Sequence, residues 1–182
     1  GNLGAVGSSS AFVYDHTPTA APNGSGVPAT SNTGPTFPFT LATGDTASCT
    51  TVSGTTSVES LSSCGPGYRP ALSTDGAYTI TVVLTDAAGN SRTVSQGFTL
   101  DTLAPGAVTV STTAASPDKA PSVTWTIGSD GSPLTCSIFP SVPLSGCGPT
   151  VTADLSTAPD SPYTLTVTAT DAAGNTTTGS AT

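Results

Sequence analysis

Polar and apolar residues alternate along much of this chain. Val123, Trp125 and Ile127 are separated by Thr124 and Thr126, and Tyr163, Leu165, Val167 and Ala169 are separated by Thr164, Thr166 and Thr168. A period of two places successive side chains on opposite faces of an extended backbone, so each run predicts a half-buried β-strand. Between such runs lie segments rich in Gly, Pro, Ser and Asp, namely 128–133, 146–149, 158–162 and 171–175, whose residues favour turns. The pattern predicts about seven short strands in the C-terminal half, over 106–113, 121–128, 133–139, 141–147, 149–155, 162–170 and 175–182. The N-terminal half predicts the same series, with Phe37, Phe39 and Leu41 where Val123, Trp125 and Ile127 stand. No segment of useful length carries a helical period.

The two series are copies. The stretch from Tyr78 to Asn90, ending Thr-Asp-Ala-Ala-Gly-Asn, returns from Tyr163 to Asn175, a shift of 85 residues (78 to 163). A third trace lies at the start, where Gly1-Asn2 and Ala11–Asp15 read like Gly89-Asn90 and Gly97–Asp101. The expected organisation is 1–16 as the last strand of a preceding repeat or a donor strand, 17–101 as one repeat and 102–182 as the next. Seven antiparallel strands in about 85 residues point to an all-β chain of two tandem immunoglobulin-like sandwiches. Tyr78 and Tyr163 open the penultimate strands, where a tyrosine corner would bond its hydroxyl to upstream backbone. Two residues later stand Ile80 and Leu165, so the inter-sheet cysteine of antibody domains is missing.

Cysteine usage narrows the setting. Cys49 and Cys64 in the first repeat match Cys136 and Cys147 in the second, and each second member precedes Gly-Pro. A zinc site would need closely spaced ligand pairs or several histidines, and the chain has one histidine. The pattern predicts the disulfides Cys49–Cys64 and Cys136–Cys147, each stapling a hairpin or an adjacent pair of strands in an oxidising, extracellular setting. Three basic residues against eleven acidic ones give a net charge of −8, which works against a nucleic-acid partner and makes a divalent cation the natural counterion. No run of 18 apolar residues spans a membrane.

On these residues the chain resembles the bacterial immunoglobulin-like tandem repeats of large surface proteins and adhesins. The marks are the strand ending Asp171–Asn175, the final strand ending Phe98-Thr-Leu-Asp101, and the linker Asp101–Pro105 into the next repeat. The resemblance implies a structural spacer or stalk in a surface protein, adhesin or fibre, with neighbouring repeats as partners. It also implies calcium at the domain junctions.

The aspartates permit that chemistry. In an immunoglobulin-like sandwich the loops holding Asp130 and Asp171 share the pole that faces the incoming linker, which carries Asp101, and Asp15, Asp45 and Asp86 form the equivalent set. Converging carboxylates repel unless a cation or water separates them, and calcium takes six to eight oxygen ligands. Asn90 and Asn175 would add amide oxygens. The other reading is local: Asp opens tight turns because its carboxylate accepts neighbouring amide N–H groups.

Other functions fare worse. The sole histidine, His16, lies in a linker and has no counterpart in the second repeat, which leaves nucleophilic catalysis without a base. Lys119 is the only lysine, so a Lys–Asn isopeptide in each repeat is excluded. A carbohydrate-binding accessory module of a secreted enzyme would need exposed aromatics, and few, such as Phe139 and Tyr68, are free of expected core positions. A head-to-tail strand-exchanged filament, with the segment near Ala11–Asp15 completing the last sandwich of another chain, is a further alternative.

Overall fold

The computed structural model describes residues 14–17, 19, 25–115 and 120–182. Of the strand expected over Ala11–Asp15, residues 11–13 lie outside them, as does Lys119, and the described Tyr14 and Asp15 are not in a strand. Among the described residues, eleven strands make up the regular structure: β1 (Thr30–Ser31), β2 (Thr46–Ser53), β3 (Thr56–Leu61), β4 (Gly76–Thr85), β5 (Ser91–Leu100), β6 (Thr109–Thr112), β7 (Ser122–Gly128), β8 (Leu134–Phe139), β9 (Thr150–Asp154), β10 (Thr164–Thr170) and β11 (Thr176–Ala181). There is no helix among the described residues. The strands form one five-stranded sheet, β1-β5-β4-β2-β3, and two three-stranded sheets, β11-β10-β8 and β6-β7-β9. Two compact units result. One holds Pro35–Ala71, Tyr78–Gly97 and the described residues up to Val27; the other holds Pro28–Gly34, Leu72–Ala77 and Phe98–Thr182.

In the second unit the alternation builds a sandwich. Trp125 and Ile127 of β7 and Val151 and Ala153 of β9 are buried with Ile138 of β8 and Leu165, Val167 and Ala169 of β10 in one cluster. The threonines between them face outward, as the period of two requires. Gly179 lies where β11 meets β6: a Cβ there would stand 2.3 Å from the carbonyl oxygen of Val108, so only glycine permits this approach. Tyr163 makes the expected corner, donating its hydroxyl to the Pro159 carbonyl at 2.8 Å.

In the first unit β4 buries Tyr78, Ile80, Val82 and Leu84, and β2 buries Ala47, Cys49 and Thr51. The remaining buried aromatics are Phe37, Phe39 and Tyr68. Phe37 and Tyr68 meet through one antiparallel bridge, with the Phe37 N–H donating to the Tyr68 carbonyl at 2.8 Å, rather than through a ladder. Pro38 has no N–H to continue the ladder expected over 37–41. The strand expected over 141–147 is likewise reduced to the bridge Leu144↔Ala153, because Pro140 and Pro143 remove donors from the stretch leading into it.

Both cysteine pairs are bonded as the spacing predicts, Cys49 to Cys64 and Cys136 to Cys147. Cys49 is fully buried between Leu61 of β3 and Val82 of β4, and the Cys64 N–H donates to the Ala47 carbonyl at 3.0 Å. That disulfide fastens the β2–β3 hairpin just past its end. The second runs from Cys136 on β8 to Cys147 in the connection leading to β9, a strand of the other sheet, and Cys147 is exposed.

Candidate functional site: a linker clasp

The repeated Asp-Ala-Ala-Gly-Asn sequence forms the same turn twice. Its fourth residue needs a left-handed backbone, and Gly89 and Gly174 both adopt φ of 92°. The Asp171 Oδ1 accepts the N–H groups of Ala173 and Asn175, each at 2.9 Å. Its Oδ2 accepts the Asn175 side-chain Nδ2 at 2.9 Å, and the same Nδ2 donates to the Asp101 carbonyl at 2.8 Å. Asp86 accepts the Ala88 and Asn90 N–H groups at 2.9 Å and the Asn90 Nδ2 at 3.0 Å, while that Nδ2 donates to the Asp15 carbonyl at 3.3 Å. The carboxyls of Asp86 and Asp171 are held below the usual aspartate range, first by the asparagine side chain and then by turn amides.

The neighbouring loop grips the linker as well. The Asp130 Oδ2 accepts the Gly106 N–H at 2.6 Å and its Oδ1 accepts the Ser132 N–H at 3.0 Å. These amides, Ser132 first, hold its carboxyl below the usual range. In the first unit the Asp45 carboxylate instead accepts the Thr19 hydroxyl at 2.5 Å. Further bonds fix the linker in the second unit. The Thr177 hydroxyl donates to the Pro105 carbonyl at 2.7 Å, and the Asp75 Oδ1 accepts both the N–H and the hydroxyl of Thr102, at 3.0 and 2.9 Å. Asp101 caps its own turn by accepting the Leu103 N–H at 3.1 Å, as Asp15 does for Thr17 at 2.9 Å.

The loops and linker that the sequence grouped therefore meet, but through amides. Asn90 and Asn175 serve as Nδ2 donors where an ion would have wanted their oxygens. Asp15, Asp45, Asp86, Asp101, Asp130 and Asp171 all have carboxylate oxygens accepting N–H or O–H groups, and no three His, Cys, Asp or Glu side chains gather around one ion position among the described residues. This donor set does not fit calcium without surrendering those bonds. Asp75 and Thr177 escaped the sequence reading, because nothing local marks a side chain whose partner is distant in the chain.

Elsewhere, His16 stacks on Tyr14, with ring centroids 5.4 Å apart. Of the aromatics expected to be free for sugar stacking, Phe139 is exposed and Tyr68 is buried. The Tyr68 hydroxyl donates to Glu59 and lies 2.8 Å from the Thr51 hydroxyl; burial first, and the Glu59 carboxylate next, push its pKa up to about 12.

Comparison with known proteins identifies the repeats. A family profile described as a bacterial Ig-like domain matches residues 16–102, and a second so described matches 148–182. Over those two stretches the chain belongs to the bacterial Ig-like domains. Fibronectin(III)-like modules of Clostridium thermocellum CbhA share the fold, at 13% identity and a TM-score of 0.51 over 86% of this chain and 90% of that one. A tetra-tandem repeat from the extending region of a large adhesion protein is 22% identical, with a TM-score of 0.32, over 78% of this chain and 42% of that one. None of the curated proteins compared is similar to the chain. Bacterial Ig-like domains are typical structural modules of surface proteins, and two disulfides fit an extracellular setting. No helix among the described residues is long and apolar enough to cross a membrane.

Proposed function

We propose that this chain is a spacer or stalk module of a bacterial extracellular surface protein, adhesin or fibre, whose partners are the neighbouring Ig-like repeats. The carrying observation is that the same linker contact is built twice. Asn90 holds the Asp15 carbonyl and Asn175 holds the Asp101 carbonyl, each oriented by the aspartate four residues earlier. A module that secures its incoming linker in the same way each time can be concatenated without a new interface for each copy. Exposed faces covered in threonine suit a solvated array. The ligand of the whole protein then resides in another domain.

The test is to place one, two or four copies of residues 1–182 between a cell-surface anchor and a reporter binding domain. Reach should grow with copy number, and the isolated chain should show no saturable binding to polysaccharides or matrix proteins. Saturable polysaccharide binding by the isolated chain would replace this reading with an accessory binding module.

A further inference from the structure

The two asparagine side chains do more than close a turn. In the second unit one NH2 group spends one hydrogen on the Asp171 carboxylate and the other on the Asp101 carbonyl, at 2.9 and 2.8 Å. An oxygen-rich meeting point needs something positive between its acceptors, and here a neutral amide supplies two N–H dipoles. We infer that Asn175, and Asn90 in the same manner, is a positioning residue standing where a divalent cation would otherwise be required, so that linker register at each junction is independent of metal. The second unit surrounds this amide with further metal-free holds on the linker: Asp130 on the Gly106 N–H, Thr177 on the Pro105 carbonyl and Asp75 on Thr102. The inference goes beyond the spacer reading and holds whatever the array carries.

A single-atom exchange exposes the logic. In Asn175→Asp the bridging nitrogen becomes an oxygen facing the Asp171 carboxylate and the Asp101 carbonyl. Three oxygens then converge with two negative charges, an arrangement that repels alone and suits a weak, oxygen-seeking cation such as calcium. The variant should convert a metal-independent junction into a metal-dependent one.

The experiment follows amide hydrogen exchange at Gly106 in residues 1–182, in millimolar calcium and in chelator, with Val167 in the core of β10 as a control for global unfolding. Wild-type protection should be the same in both solutions. Asn175→Asp should exchange about tenfold faster in chelator, the scale of one or two lost hydrogen bonds, and recover in calcium. Asn175→Ala, which loses the donor without gaining an oxygen, should exchange faster in both. Loss of wild-type protection in chelator would overturn the inference and restore calcium as the junction's holder, a result that needs no variant to fold. An Asn175→Asp chain that calcium does not rescue, or an Asn175→Ala chain as protected as wild type, would also overturn it.

Discussion

The two repeats agree where the chain enters each sandwich and differ inside it. At the entry, Asp86–Asn90 and Asp171–Asn175 form the same bonds in the same order, down to the φ of the glycine. Inside, the first unit buries Phe37, Phe39 and Tyr68 and pairs the Tyr68 hydroxyl with Thr51 and Glu59, whereas the second relies on Trp125, whose buried Nε1 has no partner. A core tolerates different side chains provided they fill the space between the layers. A linker hold has less freedom, because a hydrogen bond to a backbone carbonyl needs one donor at one distance. Repetition in this chain therefore marks the junction more faithfully than the core.

The largest expected effect lies in the cores. Phe37 is completely buried, and Phe37→Ala should destabilise the first unit by about 3 to 5 kcal/mol in denaturant unfolding. Trp125→Ala should fall toward the lower end of that range despite the larger side chain, since it also removes an unpaired indole N–H. Equal or greater loss at Trp125 would mean that its N–H is not a liability.

Next come the disulfides. Their loops, 15 and 11 residues apart in sequence, predict similar losses on paired Cys→Ser replacement, about 3 kcal/mol each in the chain-entropy model. Their exposure differs: Cys49 is sealed in the core and Cys147 faces solvent. Graded reduction with peptide mapping should open Cys136–Cys147 first, since thiolate attack needs access.

A smaller effect separates the units by pH. The Tyr68 hydroxyl is raised from 10.0 to about 12, so its contribution is fully present below the unfolded value and is lost as pH rises from 10 toward 12. Tyr68→Phe should remove this alkaline loss and cost about 1 to 2 kcal/mol at neutral pH, by leaving Thr51 buried without its partner. The smallest effect is shared by both repeats. Asp86 and Asp171 have folded-state carboxyls below their unfolded value, so their contribution is present above the aspartate range and is lost as pH falls through it. Asn90→Ala with Asn175→Ala should flatten the acid side of the stability profile measured in urea.

Much of this fold was legible because alternation is a local signal. The runs ending at Leu84 and Ala169 became β4 and β10 with the expected residues buried, and both cysteine pairs closed as spaced. Where prolines interrupt the alternation, at Pro38, Pro140 and Pro143, apolar periodicity survives but the ladder does not, and strands shrink to bridges. The site was half legible. The residues that meet at the pole could be named from the repeat and the fold, whereas the use of the asparagine amide depended on which end of it faces the linker. A primary amide carries both a donor and an acceptor, and only the neighbouring Asp101 carbonyl and Asp171 carboxylate select the donor. Tyr68 was misplaced as a free aromatic for the same kind of reason, since Thr51 and Glu59, the partners that draw its hydroxyl inward, sit on the β2–β3 hairpin.

The central claim is that one hydrogen-bonded turn is built identically in both repeats and secures each linker. Amide hydrogen exchange on the intact chain tests it most directly, through the N–H groups of Ala88 and Asn90 and those of Ala173 and Asn175. The account predicts comparable, substantial protection at all four, with Gly106 protected alongside the second pair. Fast exchange at Gly106, or protection confined to one of the two turns, would contradict it.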